Sequence, residues 1–210
     1  MSASGREGVG KASGKRVNKR FSLQDLLKIA AAASLSAILM ITVRIPLIPS
    51  APFLTYDFSE VPALLMGILW GPAAGVLTVL IKDAVFLLIN FSPLELIGIP
   101  ADLASGFTLV GIASYIYNSG NCEEKRNKRQ IDYRRLFWAS AAGIFGMAAL
   151  MVPVNILIYR LMSYFFADFL GDMSLWKYVA GAALPFNFLK GCLTSLIVSA
   201  CCGRLFFLKK

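Results

Sequence analysis

The run from Tyr178 to Cys202 holds a single charged residue, Lys190. A stretch that apolar and that long is suited to the interior of a bilayer, which a helix of about 20 residues crosses. Comparable blocks run from Leu26 to Val43, about Phe58 to Trp70, Pro72 to Ile89, Leu94 to Tyr117 and Leu136 to Phe166, and the last extends over Leu175 to Phe207. The pattern predicts an all-α integral membrane protein, a six-transmembrane-helix bundle within residues 21–210. Composition agrees, since 57% of the 210 residues are hydrophobic and the mean hydropathy is +0.67. The apolar residues fall in blocks, without the alternation of half-buried strands. No polar segment between them is long enough to fold as a domain of its own.

Proline and glycine punctuate the blocks. Pro46, Pro49 and Pro52 exclude a regular helix over Arg44 to Ser59, which reads as a structured loop rich in Phe, Tyr and Leu. Gly71-Pro72 makes a tight turn, with Pro72 suited to the first position of a helix. The second block is short for a full span, so it is tilted, flanked by the loop or sunk in the bundle.

The formal charge of +9 points to topology. Twelve of the 21 basic residues lie in residues 1–20 and 118–135, and basic segments beside spans mark the cytoplasmic side. The first twenty residues, rich in Gly, Ser and Lys, read as a flexible basic tail. Six spans then place both termini in the cytoplasm, with the Gly71-Pro72 turn, the 118–135 loop and the Arg204/Lys209/Lys210 end. The acidic loops near Asp57/Glu60, Glu95 and Asp168/Asp172 face outside. A nucleic-acid partner is excluded, because no aromatic-interleaved basic patch accompanies the charge. The first apolar run is longer than a signal core and lacks a small-x-small cleavage site, so it is read as a retained span.

Several chemistries are excluded. The chain has no histidine, so imidazole metal sites and histidine catalysis are absent, and no metal site is expected. Cys122, Cys192, Cys201 and Cys202 form no C-x-x-C pair and read as packing residues. Gly5 to Lys11 approaches a phosphate-binding loop, but Ala12 stands where Ser or Thr must ligate Mg²⁺, and the strand and helix around the motif are missing. No nucleophile–base pair is recognisable, so the chain is not expected to be an enzyme. An intramembrane enzyme built on Lys82/Asp83 or Asp102 is the competing class.

The polar residues inside the spans are the candidates for function. A lysine near mid-bilayer costs about 2.5–3.5 kcal/mol on insertion scales, so it faces a partner, a cavity or a ligand. Asn187 and Lys190 are three apart and share a helix face. Asn155 follows Pro153, and Asn187 follows Pro185; a proline inside a span bends the helix and frees a carbonyl. Together they predict a polar pocket between helices 5 and 6, with its ligand unnamed. Adjacent helical residues point about 100° apart, so Lys82 and Asp83 are each expected to pair across the bundle in a structural role. Asp102 and Arg160 are treated likewise. Ala33 and Ala37 give helix 1 a small-residue face, for packing within the bundle or for docking on another membrane subunit.

Four segments carry a resemblance: Phe53-Leu54-Thr55-Tyr56-Asp57-Phe58-Ser59-Glu60-Val61-Pro62, Gly71-Pro72-Ala73-Ala74-Gly75, Asn155, and Asn187-Phe188-Leu189-Lys190. They resemble the riboflavin-specific substrate-binding subunits (S components) of energy-coupling factor (ECF) transporters. The resemblance covers helices 1 to 6 and leaves out the tail. It implies a subunit of the prokaryotic cell membrane that captures riboflavin from outside, with flavin mononucleotide (FMN) as a further candidate ligand. It also implies docking on a shared module of one transmembrane coupling subunit and two cytoplasmic ATPases. By resemblance, Asn155, Asn187 and Lys190 contact the flavin ring. Phe53, Leu54, Thr55, Tyr56 and Asp57 close over the ligand. Ala33 and Ala37 dock on the coupling subunit, with Ala30/Ser34 as an overlapping register. An S component for a different vitamin is the nearest alternative. The chemistry is compatible: a carboxamide both donates and accepts along the flavin pyrimidine edge, whereas Lys190 donates only. Thr55 and Asp57 suit the ribityl hydroxyls. Flavin here is cargo, and no cofactor is expected.

Overall fold

The computed structural model describes residues 21–119, 131–166 and 173–207. The tail with its Gly5–Lys11 run, most of the 118–135 loop, Asp168, Asp172 and the last lysines lie outside the described residues.

Helix α1 (Leu23–Thr42) begins at a capping box, in which the Ser22 side chain accepts from the Asp25 N–H and Asp25 reaches back to the Ser22 N–H. The proline-rich loop that follows folds on itself through two short antiparallel strands, β1 (Ile45–Pro46) and β2 (Thr55–Tyr56). Helix α2 (Glu60–Trp70) ends at Gly71, whose φ of 107° is one that L side chains rarely adopt, and Pro72 opens α3 (Pro72–Ile89). Helix α4 (Pro93–Asn118) starts at Ser92, which caps the Glu95 N–H, and α5 (Tyr133–Phe165) starts at Asp132, which caps Arg135. Helix α6 opens as Leu175–Tyr178, widens into a π-helical turn at Val179–Ala183 and continues as Leu184–Phe207.

Five of these helices, all but α2, are long and apolar enough to cross a membrane. Their bounds fall within a few residues of the apolar blocks. The short α2 is sunk in the bundle: Ala63 and Leu64 are fully buried, and it contacts α1, α3, α4 and α6. Beyond Glu60 it is apolar all round, which a helix enclosed by other helices requires.

Close packing lies along the contact of α2 with α3. A Cβ on Gly75 would sit 2.6 Å from Val110 Cγ1 and 2.7 Å from Gly67 Cα, so the α2 and α3 backbones approach without a side chain between them, and the Val110 side chain of α4 fills the remaining space. Around this point Leu64, Val79, Val110, Ala113, Leu136 and Val198 form one dry cluster. The same end is tied by polar contacts to carbonyls: the Asn118 amide donates to Gly67 O at 3.0 Å, and the Arg135 guanidinium to Ile116 O at 2.9 Å.

Helix α1 alters one expectation. Ala33 and Ala37 are buried, at 1% and 3% exposure, where α1 packs on α2 and α3. Their small side chains admit the chain's own helices, so they are not on the outer surface. The exposed side of α1 carries Ala30, Ala31, Ser34, Leu35 and Ile38.

Candidate functional site

Two interrupted helices open a space in the other half of the bundle. Pro153 in α5 and Pro185 in α6 lack the N–H that would bond the carbonyl four residues earlier, and the π-helical turn of α6 lies directly before Pro185. Two residues beyond each proline, an asparagine side chain bonds a carbonyl of its own helix, four residues before it. The Asn155 amide donates to Met151 O at 2.8 Å, and the Asn187 amide to Ala183 O at 2.7 Å. The Asn155 carbonyl oxygen accepts from the Tyr178 hydroxyl at 2.9 Å, which joins α5 to α6. Both asparagines are nearly fully buried.

A cavity of about 220 Å³ lies against them. Phe53, Leu54, Thr55 and Asp57 of the loop line it, with Asn155, Asn187 and Lys190 of the helices. Tyr56 is placed apart from these. Successive strand residues point to opposite faces, so Thr55 meets the cavity while Tyr56 turns inward. Its hydroxyl shares a hydrogen bond with Thr194 Oγ1 at 3.2 Å, and its ring packs edge-on to Phe58. Burial raises the Tyr56 phenol above its ordinary pKa, so it stays a neutral hydroxyl. The apolar wall is aromatic: Phe53 stacks on Tyr178 with ring centroids 6.1 Å apart and planes 24° apart, and Tyr159 flanks Tyr178 at 5.7 Å.

The floor is ionic. Lys190 Nζ lies 2.5 Å from Asp102 Oδ1 and 3.0 Å from Glu60 Oε1. Lys82 Nζ lies 2.6 Å from Asp102 Oδ2 and 2.6 Å from Asp83 Oδ1. Ser105, one helical turn after Asp102, donates to Glu60 Oε1 at 3.2 Å. Three carboxylates thus face two ammoniums in a region where burial of an unpaired charge is costly. Lys82 and Asp83 therefore do pair with each other, contrary to expectation: the four-carbon lysine stem overcomes the 100° divergence of the two side chains. Lys82 also pairs across the bundle, as expected. Glu60, assigned by its sequence neighbours to an external acidic loop, is instead fully buried. The chain turns inward just before it, where Asp57 Oδ1 accepts from the Ser59 N–H at 2.8 Å. At the rim, Arg44 pairs with Glu95 at 3.1 Å and lies over the Phe86 ring. Arg160 is exposed on α5.

Asp102, Ser105, Arg44, Glu95 and Tyr178 also line the cavity, although sequence reasoning did not place them there. For Asp102 and Ser105 a signal existed, because an intramembrane carboxylate three residues from a serine marks one polar helix face. Glu60 had none, being one of several acidic residues beside a loop. Among the described residues, no group of three or more Cys, Asp or Glu side chains is arranged to hold a metal ion.

Residues 24–201 match the family model of the substrate-specific component of ECF transporters, and the chain belongs to that family. It is thus a transporter component and a multi-pass protein of the prokaryotic cell membrane, not an enzyme. It is similar to the riboflavin transporter RibU of Streptococcus thermophilus, with 28% identity over 202 residues and 90% of each chain covered. RibU of Staphylococcus aureus is 27% identical over 195 residues, covering 91% of this chain and 97% of that one. The riboflavin transporter FmnP of Bacillus subtilis is 25% identical over 182 residues, covering 84% and 89%. A solved S component of a bacterial ECF transporter matches the fold with a TM-score of 0.66 at 26% identity, covering 89% of this chain and 98% of the other.

Proposed function

We propose that this chain is the riboflavin-capturing subunit of an ECF-type uptake transporter. The observation that carries this reading is the shared cavity lined by Asn155, Asn187, Lys190 and the 53–57 loop, in a chain similar to proteins named riboflavin transporters. The flat wall of Phe53 and Tyr178 suits a tricyclic ring, and the paired amides suit its pyrimidine edge. Thr55 and Asp57, which also line the cavity, carry polar groups that suit ribityl hydroxyls. Flavin is carried as cargo, and no cofactor takes part.

In the bilayer the chain forms six spans with both termini in the cytoplasm. The cavity then opens outward, since the loop after α1 lies at the far end of that helix from the basic tail. The loaded subunit docks on a transmembrane coupling subunit energised by two ATPases. With Ala33 and Ala37 buried, the exposed register Ala30/Ser34 of α1 is the one left for that contact. The decisive test is riboflavin titration of detergent-purified protein, followed by quenching of flavin fluorescence. Saturable binding is expected, weakened about 5–100-fold by Asn187→Ala, the range for one buried hydrogen-bonding group. A wild-type protein that neither co-purifies with flavin nor quenches it would overturn the assignment, and FMN in the same titration defines ligand range.

A further inference from the structure

We propose that Asp102 is a positioning residue of the cavity. It grips the Lys190 ammonium and aims one of its N–H bonds at the cargo, and Lys82 acts on the same cargo at one remove, through Asp102. This assignment rests on the cavity being the riboflavin site and adds two residues to it.

The geometry is that of a bridge. One carboxylate on α4 takes Lys190 of α6 on Oδ1, at 2.5 Å, and Lys82 of α3 on Oδ2, at 2.6 Å. Lys82 is fully buried and does not line the cavity, so it reaches no ligand there directly. With both oxygens engaged, the plane of the Asp102 carboxylate is fixed, and the direction from which Lys190 is held is fixed with it. If Lys82 were absent, the carboxylate could turn about its own bond and carry Lys190 with it.

Counting donors shows what remains for a ligand. A lysine ammonium has three N–H bonds and no acceptor. In Lys190 one is taken by Asp102, and Glu60 Oε1 stands 3.0 Å away as an ion-pair partner; the further partner, Ser105 Oγ, is 3.5 Å away, at the outer limit of a hydrogen bond. One N–H is therefore weakly used, and a carbonyl acceptor of the cargo can take it. The charge of Lys190 is already matched by two carboxylates. It is thus suited to a neutral carbonyl more than to an anion, and its long, flexible stem gains direction only from what grips its end. This role accounts for Lys82, whose burial serves no ligand contact of its own.

The test is a double-mutant cycle on riboflavin affinity in the purified, full-length protein, with wild-type binding measured first. No wild-type binding would defeat the assignment of the cavity itself. Given binding, Asp102→Asn and Lys82→Met are each expected to weaken it by about tenfold, within the range of coupled contacts. In a Lys190→Met background, Asp102→Asn should cost no more than about twofold further, because the residue it acts through is gone. Lys82→Arg should restore affinity to within about threefold of wild type, since it keeps the charge that grips Oδ2. Affinity in Asp102→Asn within twofold of wild type would overturn the proposal, as would effects of Asp102→Asn and Lys190→Met that multiply independently. Should Asp102→Asn fail to fold, Asp102→Glu, which keeps the charge and displaces it by one methylene, takes its place in the cycle, and the same two outcomes would overturn the proposal.

Discussion

Where α2 packs on α3, a methyl group has no room: a Cβ on Gly75 would meet Val110 Cγ1 and the Gly67 backbone closer than 3 Å, and the cluster around them is predominantly apolar. At the opposite end α5 and α6 carry internal prolines, and the gap between them and α4 is lined by amides, carboxylates and an ammonium. The same helices build both halves. Helix α4 supplies Val110 and Ala113 to the dry end and Asp102 and Ser105 to the wet one, and α6 supplies Val198 and Lys190. Close backbone packing gives one end a single arrangement. The other end keeps a cavity lined by polar side chains that a ligand can use. A subunit that must stay folded while it captures and releases cargo divides these tasks between its ends.

Three substitutions probe that division, taken in order of expected effect. Lys190→Met should blur it most. Removing the ammonium leaves Glu60 and Asp102 facing each other with one cation fewer, so stability should fall with affinity, by about 3–5 kcal/mol for a broken buried pair. Thermal unfolding in detergent and riboflavin titration measure the two losses. A stable Lys190→Met protein would show that the floor is purely a ligand device. Gly75→Val should sharpen the division: the added side chain overpacks against Val110 and the Gly67 backbone, costing about 1–3 kcal/mol or more. Its melting temperature should drop while the folded fraction keeps wild-type affinity. Normal stability with lost binding would mean that the two ends are coupled. The smallest effect is expected at the rim. The Arg44–Glu95 pair is partly exposed, at 41% and 26% of the side chains, and such pairs contribute about 0–1 kcal/mol. Arg44→Gln should change affinity by less than about fivefold, and less again at high salt. A larger, salt-independent loss would make that pair a latch over the cavity.

The sequence displayed the spans, because the bilayer demands uninterrupted apolar runs whose ends can be read directly. It also displayed the Pro153/Asn155 and Pro185/Asn187 pairs and the cost of Lys190, since polar groups inside such runs stand out. Seven of the eight side chains named for the ligand line one cavity, and they come from a loop, α5 and α6. Tyr56 shares the loop but faces the other way, a matter of strand alternation that a two-residue strand does not announce. Ala33 and Ala37 had the right spacing for a docking face. Spacing names a helix side, and only the bundle decides whether that side is covered.

What the sequence determined by itself is therefore one-dimensional: which segments belong in lipid, which polar groups cannot be left alone there, and which chemistry is missing for want of histidine. Tertiary structure decided the partners. Lys82 closes on Asp83, its neighbour in the chain, and on Asp102 from a neighbouring helix, and Glu60 leaves its acidic loop to meet Lys190 from across the bundle. Charge pairing in a low-dielectric interior depends on distances of a few ångströms between helices far apart in the chain, and no local pattern encodes those distances.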